Sequence, residues 1–136
     1  MSNIEQTLSI IKPDAVERNL DNEIKEIFKS KGFKISKEKK ILIEKSEAEK
    51  FYKVHEAKPF YNDLCAYLSS GPIVVMILEK DNAVIDNRKL MGATNPKEAD
   101  DGTIRKKFGI SIDKNSVHGS DSVENAKIEI DFFFKD

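Results

Sequence analysis

Ile73-Val74-Val75-Met76-Ile77-Leu78 is a run of six apolar residues, four of them β-branched, entered through Gly71-Pro72. It is too short for a self-standing helix and has no polar side, so it predicts a central strand buried on both faces. A strand of that kind needs strands beside it and helices above or below it, and the flanking sequence supplies both. Upstream, Thr7 to Ile11 is a second short apolar run ending at Lys12-Pro13, where the proline suits the first turn of a following helix. Leu20, Ile24, Ile27, Phe28 and Lys31 then repeat with helical spacing, and Gly32 provides the stop. From Phe33 to Glu44 the period becomes two, with Phe33, Ile35, Ile41 and Ile43 on one face and Lys34, Ser36, Glu38 and Lys40 on the other. This is a half-buried strand with a solvated, lysine-rich outer face.

Ser46 and Glu49 predict a capping box opening a helix through Phe51 and Tyr52. Tyr61, Leu64, Cys65 and Leu68 form another helical piece after Pro59. Downstream of the central strand, Asn82 to Leu90 reads as a short helix. Gly92 to Val117 shows little regular pattern, and a long loop in a compact domain is usually functional. Asp121 or Ser122 caps a last helix whose apolar side is Val123, Ala126, Ile130 and Phe133 or Phe134. A fourth strand has only Ser116-Val117 and their neighbours to come from. The order β-α-β-α-β-α-loop-β-α predicts an α/β (α+β) fold: a ferredoxin-like sandwich, an antiparallel four-stranded sheet with helices packed on it.

The sequence of 136 residues is the size of one domain, expected to span 1–136. Charged residues make up 35%, above the usual level of about 25%, but 23 basic residues stand against 24 acidic ones. A net charge of −1 argues against a protein that coats nucleic acid. No secretory signal and no apolar stretch near the ~20 residues of a membrane span are visible. Cys65 is the only cysteine and falls in a helical apolar pattern, so it reads as a core residue with no disulfide partner in the chain. A cytoplasmic location fits.

Of two histidines, His118 has the neighbours of a catalyst. It follows a strand residue, Val117, and precedes Gly119-Ser120-Asp121 at the start of a helix. The glycine removes bulk beside the ring, and the helix start offers N–H groups that favour an anion. Glu129 lies about two turns into that helix and, folded back on the sheet, is able to hold one ring nitrogen while the other attacks. A neutral imidazole is a competent nucleophile toward phosphorus. Arg88, Thr94, Asn95, Arg105 and Asn115 lie in or beside the long loop, and Lys12 stands at the end of the first strand. Arginine pairs well with phosphate through its planar fork. There is no glycine-rich phosphate loop, so side chains would have to hold the phosphates. Taken singly, each of these residues also has an ordinary surface reading, and the residues alone leave both open.

Ile11-Lys12-Pro13-Asp14-Ala15-Val16, Ser70-Gly71-Pro72, Met91-Gly92-Ala93-Thr94-Asn95-Pro96, Gly102-Thr103-Ile104-Arg105 and Asn115-Ser116-Val117-His118-Gly119-Ser120-Asp121-Ser122 together resemble the nucleoside diphosphate kinases. The resemblance runs from about Gln6 to Phe134. It implies a ping-pong transfer of the γ-phosphate of a nucleoside triphosphate, mainly ATP, to nucleoside diphosphates, through a phosphate on Nδ1 of His118. It also implies that Lys12, Arg88, Thr94 and Arg105 hold phosphates, and that Lys12 and Asn115 contact the ribose 3′-hydroxyl. Tyr52 and His55 fit the family's Tyr-x-x-His segment near the phosphates. Phe60 would stack on the base with Ile112 closing its other face, and Ser120 and Glu129 would support His118. Magnesium (Mg2+) is expected on the nucleotide phosphates, with Asp121 reaching it through water at most and no metal held directly. Partners implied are ribo- and deoxyribonucleoside tri- and diphosphates and further copies of the chain, as a tetramer or hexamer, without membrane or specific nucleic acid. The sequence departs from the family pattern at Asn19, Asn22, Lys80, Asp101, Lys106-Lys107 and Lys114, none of them a site residue. Two other readings stay open: a nucleotide-binding regulatory module, or a protein histidine phosphotransferase on the same fold.

Overall fold

Four strands, β1 (Ile4–Ile11), β2 (Lys34–Ile41), β3 (Ile73–Asp81) and β4 (Val117–Gly119), form one antiparallel sheet in the order β2-β3-β1-β4. The computed structural model describes residues 4–53, 56–111 and 114–134. The strand expected at Ile73 is interior, and its side chains alternate between two cores. Val74, Met76 and Leu78 enter one, Ile73 and Val75 the other, which is why the run has no polar face.

The helices in chain order are α1 (Pro13–Glu17), α2 (Asp21–Ser30), α3 (Lys45–Phe51), α4 (Tyr61–Leu68), α5 (Ala83–Met91), α6 (Ile104–Phe108) and α7 (Val123–Phe134). They cover both faces of the sheet. Residues of α1, α2, α5 and α6 (Ala15, Ile24, Phe28, Met91, Ile104) share the core of Val74 and Met76. Residues of α3, α4 and α7 (Ala48, Cys65, Leu68, Phe133) share the core of Leu8, Ile10 and Val75. A ten-residue helix such as α2 is marginal alone in water. It is held by Ile24 and Phe28, both fully buried, each worth about 1.5–3 kcal/mol of transfer free energy. Cys65 is buried in the second core, as its place in the helical pattern implies.

Several local expectations are corrected. The helical pattern after Pro13 is broken into α1 and α2 at Asn19, which has φ 61°. Asparagine tolerates that backbone region better than most residues do. In β2, the register with β3 skips from Ile35 to Lys37, a bulge at Ser36. One extra residue reverses the facing of everything after it. Phe33 and Ile35 therefore pack with Leu78, whereas Ile41 and Ile43 pack with Ile73, so the four do not share one face. The capping box of α3 joins Glu44 and Glu47 rather than Ser46 and Glu49. The long loop holds a 3-10 turn, Pro96–Glu98, and α6, whose cap is Thr103. Ser122 caps α7 by accepting from Asn125 N at 3.0 Å, but Val123 stays exposed and outside its buried side.

Candidate active site

β4 is only three residues long, yet it fixes the nucleophile candidate. His118 stands opposite Ile10 in the β1 pairing, so its ring emerges on the face covered by α3 and α7. There its Nε2 lies 2.9 Å from Glu129 Oε1, the arrangement the sequence made possible. Ser120 Oγ donates to the same carboxylate oxygen at 3.0 Å and accepts from Leu8 N at 3.2 Å. Glu129 is thus tied to the sheet as well as to its own helix. An ionised carboxylate only accepts, so the proton on this ring belongs on Nε2. Nδ1 then keeps its lone pair, and among the described residues it has no hydrogen-bond partner.

Phe51 and Tyr52 stand edge-on to the imidazole, with ring centroids 5.3 and 6.3 Å away. Tyr52 is buried, and burial first, then the Glu129 charge, push its phenol well above the usual range. It stays protonated at any physiological pH. Gly119 does not serve the ring as expected. A side chain there would meet Asn87 and Met91 on the opposite face of the sheet, so the missing bulk admits α5, not a ligand.

A second group lies where β1 ends. Lys12 N donates to Ser116 O at 2.8 Å, carrying the β1–β4 pairing one residue beyond Ile11 and Val117. Lys12 Nζ donates to Asn115 Oδ1 at 3.0 Å, and Asn115 Nδ2 to Thr94 O at 3.1 Å. Arg105 is the link to the histidine strand. Its Nη2 donates to Val117 O at 2.9 Å and its Nη1 to Gly92 O at 3.0 Å, while its buried Nε has no partner among the described residues. Burial, then the neighbouring Arg88, lower its pKa to about 10, which leaves it charged at neutral pH. Arg88, Thr94, Arg105 and Gly92 line one cleft of about 350 Å³. A larger recess of about 560 Å³, around Pro13, Arg18 and Tyr67, is not lined by the histidine.

Ten of the twelve site residues named from the sequence fall among those described. His118, Glu129, Ser120 and Tyr52 meet at the ring; Lys12, Asn115 and Thr94 form a chain; Thr94, Arg88 and Arg105 share the cleft. Phe60 is not drawn in by its described contact, which is with Lys58 Nζ at 5.7 Å from the ring centroid; it stands exposed just before α4. His55 and Ile112 lie outside the described residues. Asp121 is exposed and accepts from Asn125 Nδ2 at 2.6 Å. Among the described residues no group of three or more His, Cys, Asp or Glu is placed to hold a metal ion.

Sequence reading missed Phe51, one position before a residue it did name, and a buried group around Asp14. Asp14 Oδ2 accepts from Arg18 Nη2 at 3.1 Å and Ser116 Oγ at 2.9 Å, and Tyr67 donates to Oδ1. The one available signal was Asp14 within the motif of Lys12-Pro13, to which no role was given.

A family model described as nucleoside diphosphate kinase matches residues 5–136. The chain belongs to the nucleoside diphosphate kinase family. It is similar to the nucleoside diphosphate kinase of Campylobacter fetus, 60% identical over 131 residues and 96% of each chain. It is also similar to that of Geobacter sulfurreducens, 57% identical with the same coverage. Among solved structures, the Aquifex aeolicus nucleoside diphosphate kinase superposes with a TM-score of 0.96 at 38% identity, covering 98% of this chain and 96% of that one. The Encephalitozoon cuniculi enzyme, in a cubic apo crystal, gives 0.94 at 38% identity, with 97% and 90% covered. The antiparallel four-stranded sheet with helices packed on it is therefore the fold of this family, as expected.

Proposed function

We propose that this chain is a nucleoside diphosphate kinase that carries phosphate on Nδ1 of His118 between two half-reactions. In the first, the Nδ1 lone pair attacks the γ-phosphorus of a nucleoside triphosphate, mainly ATP. The bond to the β-phosphate oxygen breaks, and the nucleoside diphosphate leaves with that electron pair. A second diphosphate then attacks the phosphorus through its own terminal oxygen, the P–Nδ1 bond breaks with its electron pair returning to the ring, and the product departs as triphosphate. The reading is carried by one observation, the Nε2–Glu129 contact at 2.9 Å with Nδ1 left available. The ring keeps its Nε2 proton throughout. The positive charge that phosphorylation places on it faces a carboxylate already oriented by Ser120.

Arg88, Arg105, Lys12 and Thr94 neutralise and orient the phosphates, which is most of what a loose phosphoryl transition state requires. Arg88 has no ion-pair partner among the described residues, and Arg105 retains a buried, unpartnered Nε. Lys12 and Asn115 take the ribose 3′-hydroxyl. Tyr52 acts beside the phosphates and Phe60 stacks on the base, which tolerates every base. No role calls on a 2′-hydroxyl, so ribo and deoxyribo forms both serve. The supporting roles implied for His55 and Ile112 fall on residues outside those described. A divalent cation, magnesium, arrives as part of the metal–nucleotide substrate. The working form is a single domain, residues 1–136, assembled as a homo-oligomer (tetramer or hexamer) in the cytoplasm; among the described residues no helix is long and apolar enough to cross a membrane.

The test is a coupled assay with ATP as donor and purine or pyrimidine diphosphates as acceptors. Phosphate should reach all of them at similar rates, and His118→Ala should abolish transfer. Transfer to one base only, or transfer to proteins but not nucleotides, would refute this reading.

A further inference from the structure

Ser116, one of three non-glycine residues described with positive φ, has φ 74°. Val117 N donates back across it to Asn115 O at 2.9 Å. A hydrogen bond from residue i to i+2 around such a φ makes the rare, strained form of the γ-turn. The other two residues with positive φ are asparagines, which tolerate this region; serine does so less well. Strain of this kind persists only where the surroundings over-determine it.

At Ser116 they do. The residue is fully buried, and its carbonyl accepts from Lys12 N at 2.8 Å. Its hydroxyl donates to Asp14 Oδ2 at 2.9 Å. Asp14 is itself immobilised: Arg18 Nη2 donates to Oδ2 at 3.1 Å, and Tyr67 donates to Oδ1 while its oxygen accepts from Asp14 N at 2.7 Å. Arg18 Nη2 also donates to Phe108 O at 2.6 Å, which ties the group to the end of α6. The turn separates Asn115 from the Val117–His118 strand, and Lys12 touches it twice, through its backbone at Ser116 and its Nζ at Asn115.

We infer that Ser116 and Asp14 are positioning residues: the Ser116 hydroxyl, seated on the Asp14 carboxylate, locks the strained turn that sets Asn115 and Lys12 at a fixed offset from His118. This rests on the reading that Lys12 and Asn115 receive the ribose 3′-hydroxyl. In this role Ser116 and Asp14 act through Asn115 and Lys12, to which the turn is bonded. The latch acts by fixing where that hydroxyl, and with it the phosphate chain, is held relative to Nδ1.

The experiment compares acceptors that differ only at the 3′-hydroxyl, a 2′-deoxy and a 2′,3′-dideoxy nucleoside diphosphate, in wild type, Ser116→Ala, Ser116→Gly and Asp14→Asn. The readout is the ratio of kcat/KM for the two acceptors, with thermal melting alongside. Ser116→Ala loses the latch but keeps the backbone strain, so the turn relaxes and the ratio should shrink about tenfold, as misplaced contacts near a reacting centre do. Ser116→Gly loses the latch and the strain together, so the ratio should recover to within about threefold of wild type. Asp14→Asn should behave as Ser116→Ala does. A merely structural role would lower the melting temperature of both Ser116 variants and leave the ratio unchanged. An unchanged ratio in Ser116→Ala, or a Ser116→Gly ratio as small as that of Ser116→Ala, overturns the inference. Wild type that does not distinguish the two acceptors would instead overturn the roles of Lys12 and Asn115 from which it starts.

Discussion

Gly92 and Gly102 flank the loop that carries Thr94, and both have strongly positive φ, 87° and 89°. Replacing either by alanine places a side chain in a backbone region L-residues avoid, at a cost of about 1–2 kcal/mol. Beyond that the two differ. A Cβ on Gly102 meets nothing within 4 Å, whereas one on Gly92 falls 2.6 Å from Thr103 Oγ1, 2.7 Å from its Cβ and 3.0 Å from its Cγ2. Thr103 cannot swing aside, because its Oγ1 donates to Asp100 O at 2.7 Å and caps α6. Overpacking of that kind adds about 1–3 kcal/mol. Gly102→Ala should therefore cost about 1–2 kcal/mol and Gly92→Ala about 2–5 kcal/mol. Because Gly92 O accepts from Arg105 Nη1 at 3.0 Å, only Gly92→Ala should also raise KM for the nucleotide. Urea unfolding at one fixed protein concentration reads the first difference, with an unchanged m-value as the check that the unfolded state is the same. If Gly92→Ala loses no more stability than Gly102→Ala, the close packing of Gly92 on Thr103 is wrong, and with it the account of how Arg105 is held.

Arg88 lowers the pKa of Arg105, so the two charges oppose each other without a bound anion. Arg88→Gln should raise the melting temperature of the nucleotide-free protein and weaken nucleotide binding, the loss shrinking as salt rises; equal loss at all salt concentrations would contradict this. Tyr52 and Tyr67 both have raised pKa values, the first from burial and Glu129, the second from burial and its hydrogen bond to Asp14. A folded pKa above the unfolded value of about 10 gives stability that is complete below pH 10 and lost as pH rises past it. Tyrosinate absorbance from these two should therefore appear together with unfolding above pH 10, and an early rise in folded protein would contradict it.

Much of the fold could be read because the burial pattern was simple. Ile73–Leu78, Thr7–Ile11 and the Leu20–Phe28 spacing each belong to one element, and each element formed. Two of the corrections share one cause: a single residue that changes phase. The bulge at Ser36 and the left-handed Asn19 leave no mark in hydrophobic periodicity, because polar residues at either spot satisfy a continuous pattern equally well. The site was legible where a motif marked it, as at Asn115 to Ser120. Glu129 was reachable because a helix starting near Ser122 must return across the sheet. Phe51 and Asp14 were not reached, since their roles depend on contacts between α3 and β4 and between α1 and the Ser116 turn. Contacts over 67 and 102 residues of sequence have no local signature. Gly119 was read for the wrong face, because sequence shows that space is needed there but not on which side.

The central claim is that His118 carries the phosphate. Brief exposure of the protein to γ-labelled ATP, without acceptor, followed by peptide mapping under alkaline conditions, tests it most directly. One label should lie on His118, at Nδ1 because Nε2 is engaged by Glu129. It should be lost in acid and pass to any added nucleoside diphosphate. A label on a serine, a label that acceptor diphosphate does not discharge, or full labelling of His118→Ala would contradict the account.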